Sequence, residues 1–461
     1  METWKPVIQK SGKPLYMALV RAISDDIEAG RLPKGSRLPT QRELADELKV
    51  AIGTVTRAYD EAERRGLIYG DGRRGTYVGE LPRRKSLLAS LSIGFSMGID
   101  LSKNHPAYAY DPSLAEVLKK ISRWAECRQL LEYPPAAGFI EHRQAAAGWI
   151  ETIGLKVDPE NLFISGGAQH GLMATFAAEA RPGDIIATEE YSYPGVKAAA
   201  EIMGLQQVGV AIDDEGLIPE ALDAVCRKKD IRLLYCNPIF QNPTNAVMSL
   251  ERMKQIAAVA EKYNLIVIED EILSPFMDHN HGFIADLIPD RTYFVISSSK
   301  AVAAGLRVGF IAAPAKSRQK LSEAIQGISL GLPPLMAEIF THWYKSGIIE
   351  KTVARRKREL AAGQQMARKI LGDYDIKSHL SSYHLWLKLP ENWTSKDFAM
   401  ETQMRGVAVA SAEIFAVDPK SSLNAVRISI GSAPNHEILK TGLEIIADVL
   451  SGPKRAGVVT V

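Results

Sequence analysis

A chain of 461 residues is longer than the roughly 250–300 residues that one hydrophobic core supports, so at least two domains are expected. Its 46% apolar and 24% charged residues exclude the disordered and fibrous classes. The net charge of +2 is uneven: residues 1–85 hold 17 Lys+Arg against 12 Asp+Glu, a net of +5, and the remainder holds 39 against 42, a net of −3. That asymmetry predicts a small nucleic-acid module ahead of a larger, near-neutral body.

The first predicted helix runs from Pro14 to about Gly30, with Leu15, Leu19, Ala22, Ile23 and Ile27 at helical spacing. A second follows Leu38-Pro39, with Thr40 as N-cap and Glu43 completing a capping box. A third spans about Thr54 to Arg65 and carries Val55, Ala58, Tyr59 and Ala62 on one face. Leu67-Ile68-Tyr69 and Thr76-Tyr77-Val78 then flank a basic glycine-rich turn containing Arg73 and Arg74, which reads as a hairpin. Three helices and a hairpin make a winged helix-turn-helix. Arg42 opens the second helix, where phosphate is favoured. Thr54, Thr56 and Arg57 open the third, whose first residues face base edges in this geometry. Arg73 and Arg74 tip the wing. Pro14-Leu15-Tyr16, Gly30-Arg31-Leu32-Pro33-Lys34-Gly35, Leu38-Pro39-Thr40-Gln41-Arg42, Thr54-Val55 and Gly75-Thr76-Tyr77-Val78 together resemble the GntR family of bacterial regulators. The resemblance implies a double-stranded DNA partner. It departs from the family at Ala51 and Ile52, where Ser and Arg are usual.

The expected division is a winged helix over 1–80, a linker over 81–97 and a large domain over 98–461. In the large domain, short continuous apolar runs alternate with helical stretches. Leu162–Ser165, Asp184–Thr188, Leu233–Cys236, Leu265–Ile268, Tyr293–Ile296 and Val308–Ala312 read as strands of a mostly parallel sheet buried on both faces. A smaller C-terminal subdomain, from about Ile349 to Ile446, has strands at Ser382–Leu389 and Ala425–Ile430.

Polar groups gather just after these strands, where open α/β sheets bind ligands. Gly166-Gly167-Ala168-Gln169 opens a helix whose N–H groups suit a phosphate. Tyr193 offers a ring to stack on. Asn242 offers a donor, and Asp270 ends a strand with a carboxylate. Ser297, Ser299 and Arg307 surround Lys300 in sequence, and a lysine desolvated at a sheet edge has a freed amine. Pyridoxal 5'-phosphate needs this set. Lys300 would hold it as a Schiff base, Asp270 would face the pyridine nitrogen, and Asn242 would donate to the phenolic oxygen. Gly167, Ala168, Gln169, Ser297, Ser299 and Arg307 would cradle the phosphate.

The order and spacing of these motifs resemble the fold type I aminotransferases over most of residues 100–450. That resemblance implies two more roles. Tyr133 matches a tyrosine that reaches the phosphate of the partner subunit, and Arg427 matches the arginine that grips a ligand carboxylate. A GntR-type winged helix, a linker and an aminotransferase-like domain, taken together, resemble the MocR subfamily of transcriptional regulators. This implies a domain-swapped homodimer that binds DNA and senses pyridoxal phosphate or an amino compound. The alternative is a working aminotransferase that carries a winged helix. Against it stand Ile272 and Leu273, where transaminases place a tyrosine, and Asn245, where a glycine usually closes the Asn-Pro-Thr turn.

Ser297-x-x-Lys300 with Lys440-Thr441-Gly442 is also the pattern of penicillin-recognising enzymes, but the triplet lies in a helical stretch and no Ser-Asp-Asn element exists. His279 and His281 lie in a polar loop with no Cys or Glu at metal spacing, so they read as solvated and no metal is expected. Cys127, Cys226 and Cys236 form no Cys-x-x-Cys pair, and no apolar run reaches about 18 residues. A cytoplasmic protein without a membrane span is expected.

Overall fold

The structure is a computed structural model, and it describes residues 4, 6, 15–28, 30–33, 35–64, 67–70, 75–78, 98–124, 127–277, 281–418 and 423–452. The linker expected over 81–97 lies outside these residues. The chain divides into two compact units, Met1–Ser90 and Leu91–Val461.

In the first unit, α1 (Leu15–Glu28), α2 (Gln41–Leu48) and α3 (Ile52–Arg64) precede a two-stranded antiparallel hairpin, β1 (Ile68–Gly70) and β2 (Thr76–Val78). Leu19, Val20 and Ile23 of α1 meet Leu44, Val55, Ala58 and Tyr59 in one core. The capping box forms in full: Glu43 N donates to Thr40 Oγ1 at 3.3 Å, and Thr40 N donates to Glu43 Oε2 at 2.8 Å. Lys49, in the left-handed region at φ 53°, ends α2. The turn is therefore shorter than the sequence suggested, and α3 begins at Ile52 rather than Thr54.

The second unit is built on a seven-stranded sheet. Its strands are β3 (Leu162–Ser165), β4 (Ile185–Glu189), β5 (Gln206–Val210), β6 (Ile231–Cys236), β7 (Ile266–Asp270), β8 (Thr292–Ser297) and β9 (Gly309–Ala312), in the order β3-β9-β8-β7-β6-β4-β5. Pairing is parallel except for β9, which runs antiparallel to both neighbours. All residues of β7 and β8 are buried, as continuous apolar strands with both faces covered must be. Helices α4 (Ala168–Glu179) and α5 (Pro194–Ile202) each start just past a strand end. The strand β5 escapes a hydrophobicity reading because it is an edge strand whose Gln206 and Gln207 face outward in part.

The C-terminal subdomain contains α6 (Ile348–Leu371), an antiparallel sheet in the order β10 (Ile376–Ser378), β11 (His384–Lys388), β13 (Ala425–Ser429), β12 (Ala410–Ser411), and α7 (His436–Ser451). It also takes in the start of the unit. Ile99–Asp100 pairs in parallel with Val407–Ala408, and Ser429 N donates to Leu101 O at 2.8 Å. The sequence reading assigned nothing to these first residues.

Candidate functional site

A cavity of about 240 Å³ opens at the C-terminal ends of the parallel strands, and Lys300, Asp270, Asn242, Tyr193, Ala168, Gln169, Ser297, Ser299, Arg307 and Arg427 all line it. Lys300 lies on the single turn Ser298–Ala301 that follows β8. Its Nζ donates to the carbonyl oxygen of Asn104. Burial, with Arg427, Arg307 and Arg356 adding repulsion against the opposing pull of Asp270, brings its amine down to about 7.

Asp270 ends β7 and is 4% exposed. Its carboxylate accepts from the Tyr235 hydroxyl at 2.7 Å and from Ile272 N at 3.4 Å. Burial raises it to about 6, while the Tyr235 bond, the Ile272 bond and the Lys300 charge pull the other way. Asn237, one residue past β6, donates from Nδ2 to Asp270 O at 2.6 Å and accepts from Asn242 N at 3.0 Å. Arg427 Nη1 lies 2.8 Å from the Asn242 side-chain oxygen. A guanidinium has only donors, so Asn242 turns its oxygen to Arg427 and keeps its Nδ2 donor for another partner.

The start of α4 and the Lys300 turn face each other across Arg307. Ala168 and Gln169 are the first residues of α4, so their N–H groups have no acceptor within the helix. Gly167, at φ 87°, has no room for a side chain: a Cβ there would sit 2.6 Å from Arg307 Nη2. Arg307 is held by Gly166 O at 3.1 Å and Ser299 Oγ at 3.2 Å, and Ser297 Oγ donates to Ser299 Oγ at 2.8 Å. The Gln169 Nε2 donates to Gly195 O at 2.8 Å, and its Oε1 is buried without a partner. Gly195 is as tightly constrained, because a Cβ would fall 2.2 Å from the Tyr193 ring.

Arg427 is 3% exposed on β13. Its Nη2 donates to Ser102 O, its guanidinium lies 4.8 Å from the centre of the Phe415 ring, and its Nε is buried without a partner. A buried donor left unsatisfied in this way is uncommon in folded proteins. Tyr133 stands apart. It is 85% exposed and does not line the cavity of its own chain.

Several neighbours went unread in the sequence. Tyr235 was hidden in an apolar strand, although a buried tyrosine needs a partner for its hydroxyl. Tyr383 donates to Lys300 O at 2.8 Å, and Arg356 donates to Val302 O at 2.7 Å, so both hold the lysine turn from behind. Neither has a local motif. Ile272 and Leu273 line the cavity and have apolar side chains. One expectation is corrected: His281 is not solvated. Its Nε2 is buried, and burial brings the ring down to about 4. His279 lies outside the described residues.

In the first unit Arg42 and Arg57 are exposed and Thr54 is half-buried. The Thr56 hydroxyl is committed internally, to Gln41 Oε1 at 2.8 Å and Ile52 O at 3.1 Å, tying α3 to α2. Arg73 and Arg74 lie outside the described residues.

The fold and this cavity define a protein of the fold type I aminotransferase class with a helix-turn-helix unit ahead of it. Residues 96–446 match the aminotransferase class I and II family and residues 15–78 the bacterial regulatory proteins of the gntR family. The chain belongs to the class I and II aminotransferase family, and its gntR-type front gives it the MocR layout. It is 29% identical over 449 residues, 97% of each chain, to the uncharacterized HTH-type transcriptional regulator YdeF of Bacillus subtilis (strain 168). It is 25% identical to the HTH-type pyridoxine biosynthesis transcriptional regulator PdxR of Corynebacterium glutamicum, over 75% of this chain and 76% of that one. Among solved structures it resembles an archaeal alanine:glyoxylate aminotransferase, with a TM-score of 0.71 at 25% identity, over 80% of this chain and 94% of the other.

Proposed function

We propose that this chain is a DNA-binding transcriptional regulator that reads pyridoxal phosphate, or an amino compound carrying a carboxylate, in its aminotransferase-like domain. One observation carries the reading. A lysine amine brought down to about 7 shares one cavity with a buried carboxylate, a helix N-terminus and Arg307. Pyridoxal phosphate supplies an aldehyde that bonds a lysine amine and a ring that withdraws electrons from the attached carbon. Lys300 would hold it, Asp270 would keep its ring nitrogen protonated, and Asn242 Nδ2 would donate to its phenolic oxygen. The N–H groups of Ala168 and Gln169, with Ser297, Ser299 and Arg307, would hold its phosphate. Arg427 would take a ligand carboxylate. The exposed Tyr133 suits the role of reaching the phosphate of a partner subunit in a domain-swapped homodimer.

For the first unit, Arg42, Thr54 and Arg57 would meet DNA, with Arg73 and Arg74 at the wing, and Thr56 would position α3 against α2. The division we adopt is 1–80, 81–97 and 98–461. The described residues contain no helix long and apolar enough to cross a membrane. The completeness of the cavity favours a second reading, a slow aminotransferase half-reaction. The apolar Ile272 and Leu273 disfavour it.

The test is a visible spectrum of the purified chain with pyridoxal phosphate and a panel of amines, paired with a gel shift on its own upstream DNA. The expected result is a band that Lys300→Ala abolishes, together with cofactor-dependent DNA binding. A Lys300→Ala protein that kept both would overturn the reading.

A further inference from the structure

The first residues of the large unit touch both cations that the proposed ligand needs. Ser102 O accepts from Arg427 Nη2, and Asn104 O accepts from Lys300 Nζ. Just before them, the chain is fastened to the C-terminal subdomain. Ile99 N donates to Gly406 O at 2.8 Å, Leu101 N donates to Ala408 O at 2.9 Å, and Ser432 Oγ donates to Asp100 O at 3.1 Å. Asp100 grips Ser102 through both its N–H, at 3.0 Å, and its hydroxyl, at 2.6 Å, and pairs with Lys103 at 3.4 Å. Past Asn104 the chain is held again, where the buried Arg356 donates to Ala107 O and to Asp111 Oδ1. Residues 102–104 therefore cross the cavity between two anchors, and Lys103 and Asn104 line it.

We propose that residues 99–104 form an occupancy-reading strap. Ser102 O and Asn104 O hold Arg427 and Lys300 Nζ, the two cations that a carboxylate-bearing amine and pyridoxal phosphate must engage, and ligand binding loosens this grip. The inference rests on the roles given above to Lys300 and Arg427, and adds how their occupation reaches the chain that leads to the DNA-binding unit. A lysine ammonium has three N–H donors. An amine condensed with an aldehyde, releasing one water, keeps at most one, which leaves Asn104 O without its charged donor. At Arg427 a carboxylate neutralises the guanidinium, fills the unpartnered Nε and competes with Ser102 O for the same fork. The strap thus has a lower affinity for the liganded cavity. That differential is what a ligand needs in order to shift a conformational equilibrium. Asn104 is primed for a new arrangement: its Nδ2 is spent on His384 Nδ1 at 3.2 Å, while its Oδ1 is buried without a partner.

The geometry also fixes where the signal emerges. Asp270 ends a strand of the seven-stranded sheet and Lys300 lies on the turn that follows another, whereas Arg427 and the strap's anchors at 99–101 belong to the C-terminal subdomain. A ligand held at both ends joins the two. The chain continues toward the DNA-binding unit from residue 98, four residues from the Ser102 contact on Arg427.

The experiment is amide hydrogen exchange on the full chain, read over residues 99–106, with pyridoxal phosphate or N-(5'-phosphopyridoxyl)-L-alanine. The first probe has an aldehyde that condenses with Lys300, whereas the second has none, leaves the Lys300 amine free and presents a carboxylate to Arg427. The expected result is exchange about tenfold faster with each, the loss of one charge-assisted contact. Asp100→Ala, which releases Ser102 and Lys103 but removes no residue that itself lines the cavity, is expected to exchange fast beforehand, to bind the phosphopyridoxyl probe about threefold more tightly, and to lose the ligand-dependent change in its gel shift. Unchanged exchange over 99–106 while the visible band shows the cofactor bound would overturn the strap and leave the proposed function standing. So would an Asp100→Ala protein with wild-type affinity and wild-type response. If Asp100→Ala fails to fold, exchange in the unaltered chain decides alone. Failure of pyridoxal phosphate to bind at all overturns both readings.

Discussion

The Lys300 amine gathers most of the electrostatics of the cavity. An ordinary lysine with a pKa near 10.4 is neutral in about one molecule in several thousand at pH 7. Burial, with three guanidiniums nearby, brings Lys300 to about 7, so near neutrality about half the amines are free to attack a carbonyl. The sign is definite. Below 7 the ammonium dominates and cannot attack, and above 7 the free amine dominates. The rate of pyridoxal phosphate capture, followed by stopped-flow absorbance, is therefore expected to rise about tenfold per pH unit below 7 and then level off. A rate that kept climbing toward pH 10 would show an unperturbed lysine. Asp270 titrates in the opposite sense for its task. Burial raises it to about 6, so it is ionised, and able to hold a protonated ring nitrogen, only above that pH. Asp270→Asn removes that charge while keeping an acceptor for Tyr235, and is expected to weaken cofactor binding at pH 8 by about tenfold or more, with little change at pH 5. Equal losses at both pH values would assign Asp270 a merely structural part.

Between residues and whole fold stand the elements that bring these groups together. Three strand ends and the first turn of α4 deliver the cavity, and the join at Gly167 is the least forgiving. A methyl group there meets Arg307 Nη2 at 2.6 Å and a backbone at φ 87° that L side chains rarely adopt. Gly167→Ala is expected to displace Arg307 and raise the dissociation constant for pyridoxal phosphate about tenfold or more in a fluorescence titration, with the far-ultraviolet dichroism unchanged. Unaltered affinity would remove this helix start from the phosphate site. These elements were legible where local chemistry dominates. Buried parallel strands show as unbroken apolar runs, and the capping box at Thr40 marks its helix without help from the rest of the chain. Illegible were elements whose identity depends on distant partners. The edge strand β5 has only part of one face to bury, and Ile99–Asp100 becomes a strand only because Val407–Ala408 lies beside it. Tyr235 and Tyr383 read as core because nothing within a few residues of them reveals the carboxylate or the lysine turn that their hydroxyls reach.

At the scale of the molecule, the sequence already separated two tasks by charge. Residues 1–85 carry a net of +5 and the remainder −3, so the electrostatic share of DNA binding belongs to the smaller unit. The order of motifs along the large unit was equally legible, because a chain that must bring a glycine turn, a carboxylate, a lysine and an arginine to adjacent strand ends carries them at characteristic separations. Direction of side chains was not: Thr56 looks like a reading residue in the sequence, yet its hydroxyl ties α3 to Gln41 of α2. Arg42 remains exposed at the start of α2, and Arg57 in the second turn of α3. If they meet phosphates, operator affinity should fall linearly with the logarithm of salt concentration, with about 0.9 added to the slope per phosphate neutralised. Arg42→Ala and Arg57→Ala are each expected to lower that slope by about 1, measured by fluorescence anisotropy across a salt series. Lys254→Ala, an exposed change on the large unit at a lysine paired with Glu251, should leave it alone. A slope that fell equally for Lys254→Ala, or stayed fixed for both arginine variants, would place the DNA contact outside α2 and α3, because released counterions count only the cations that touch the duplex.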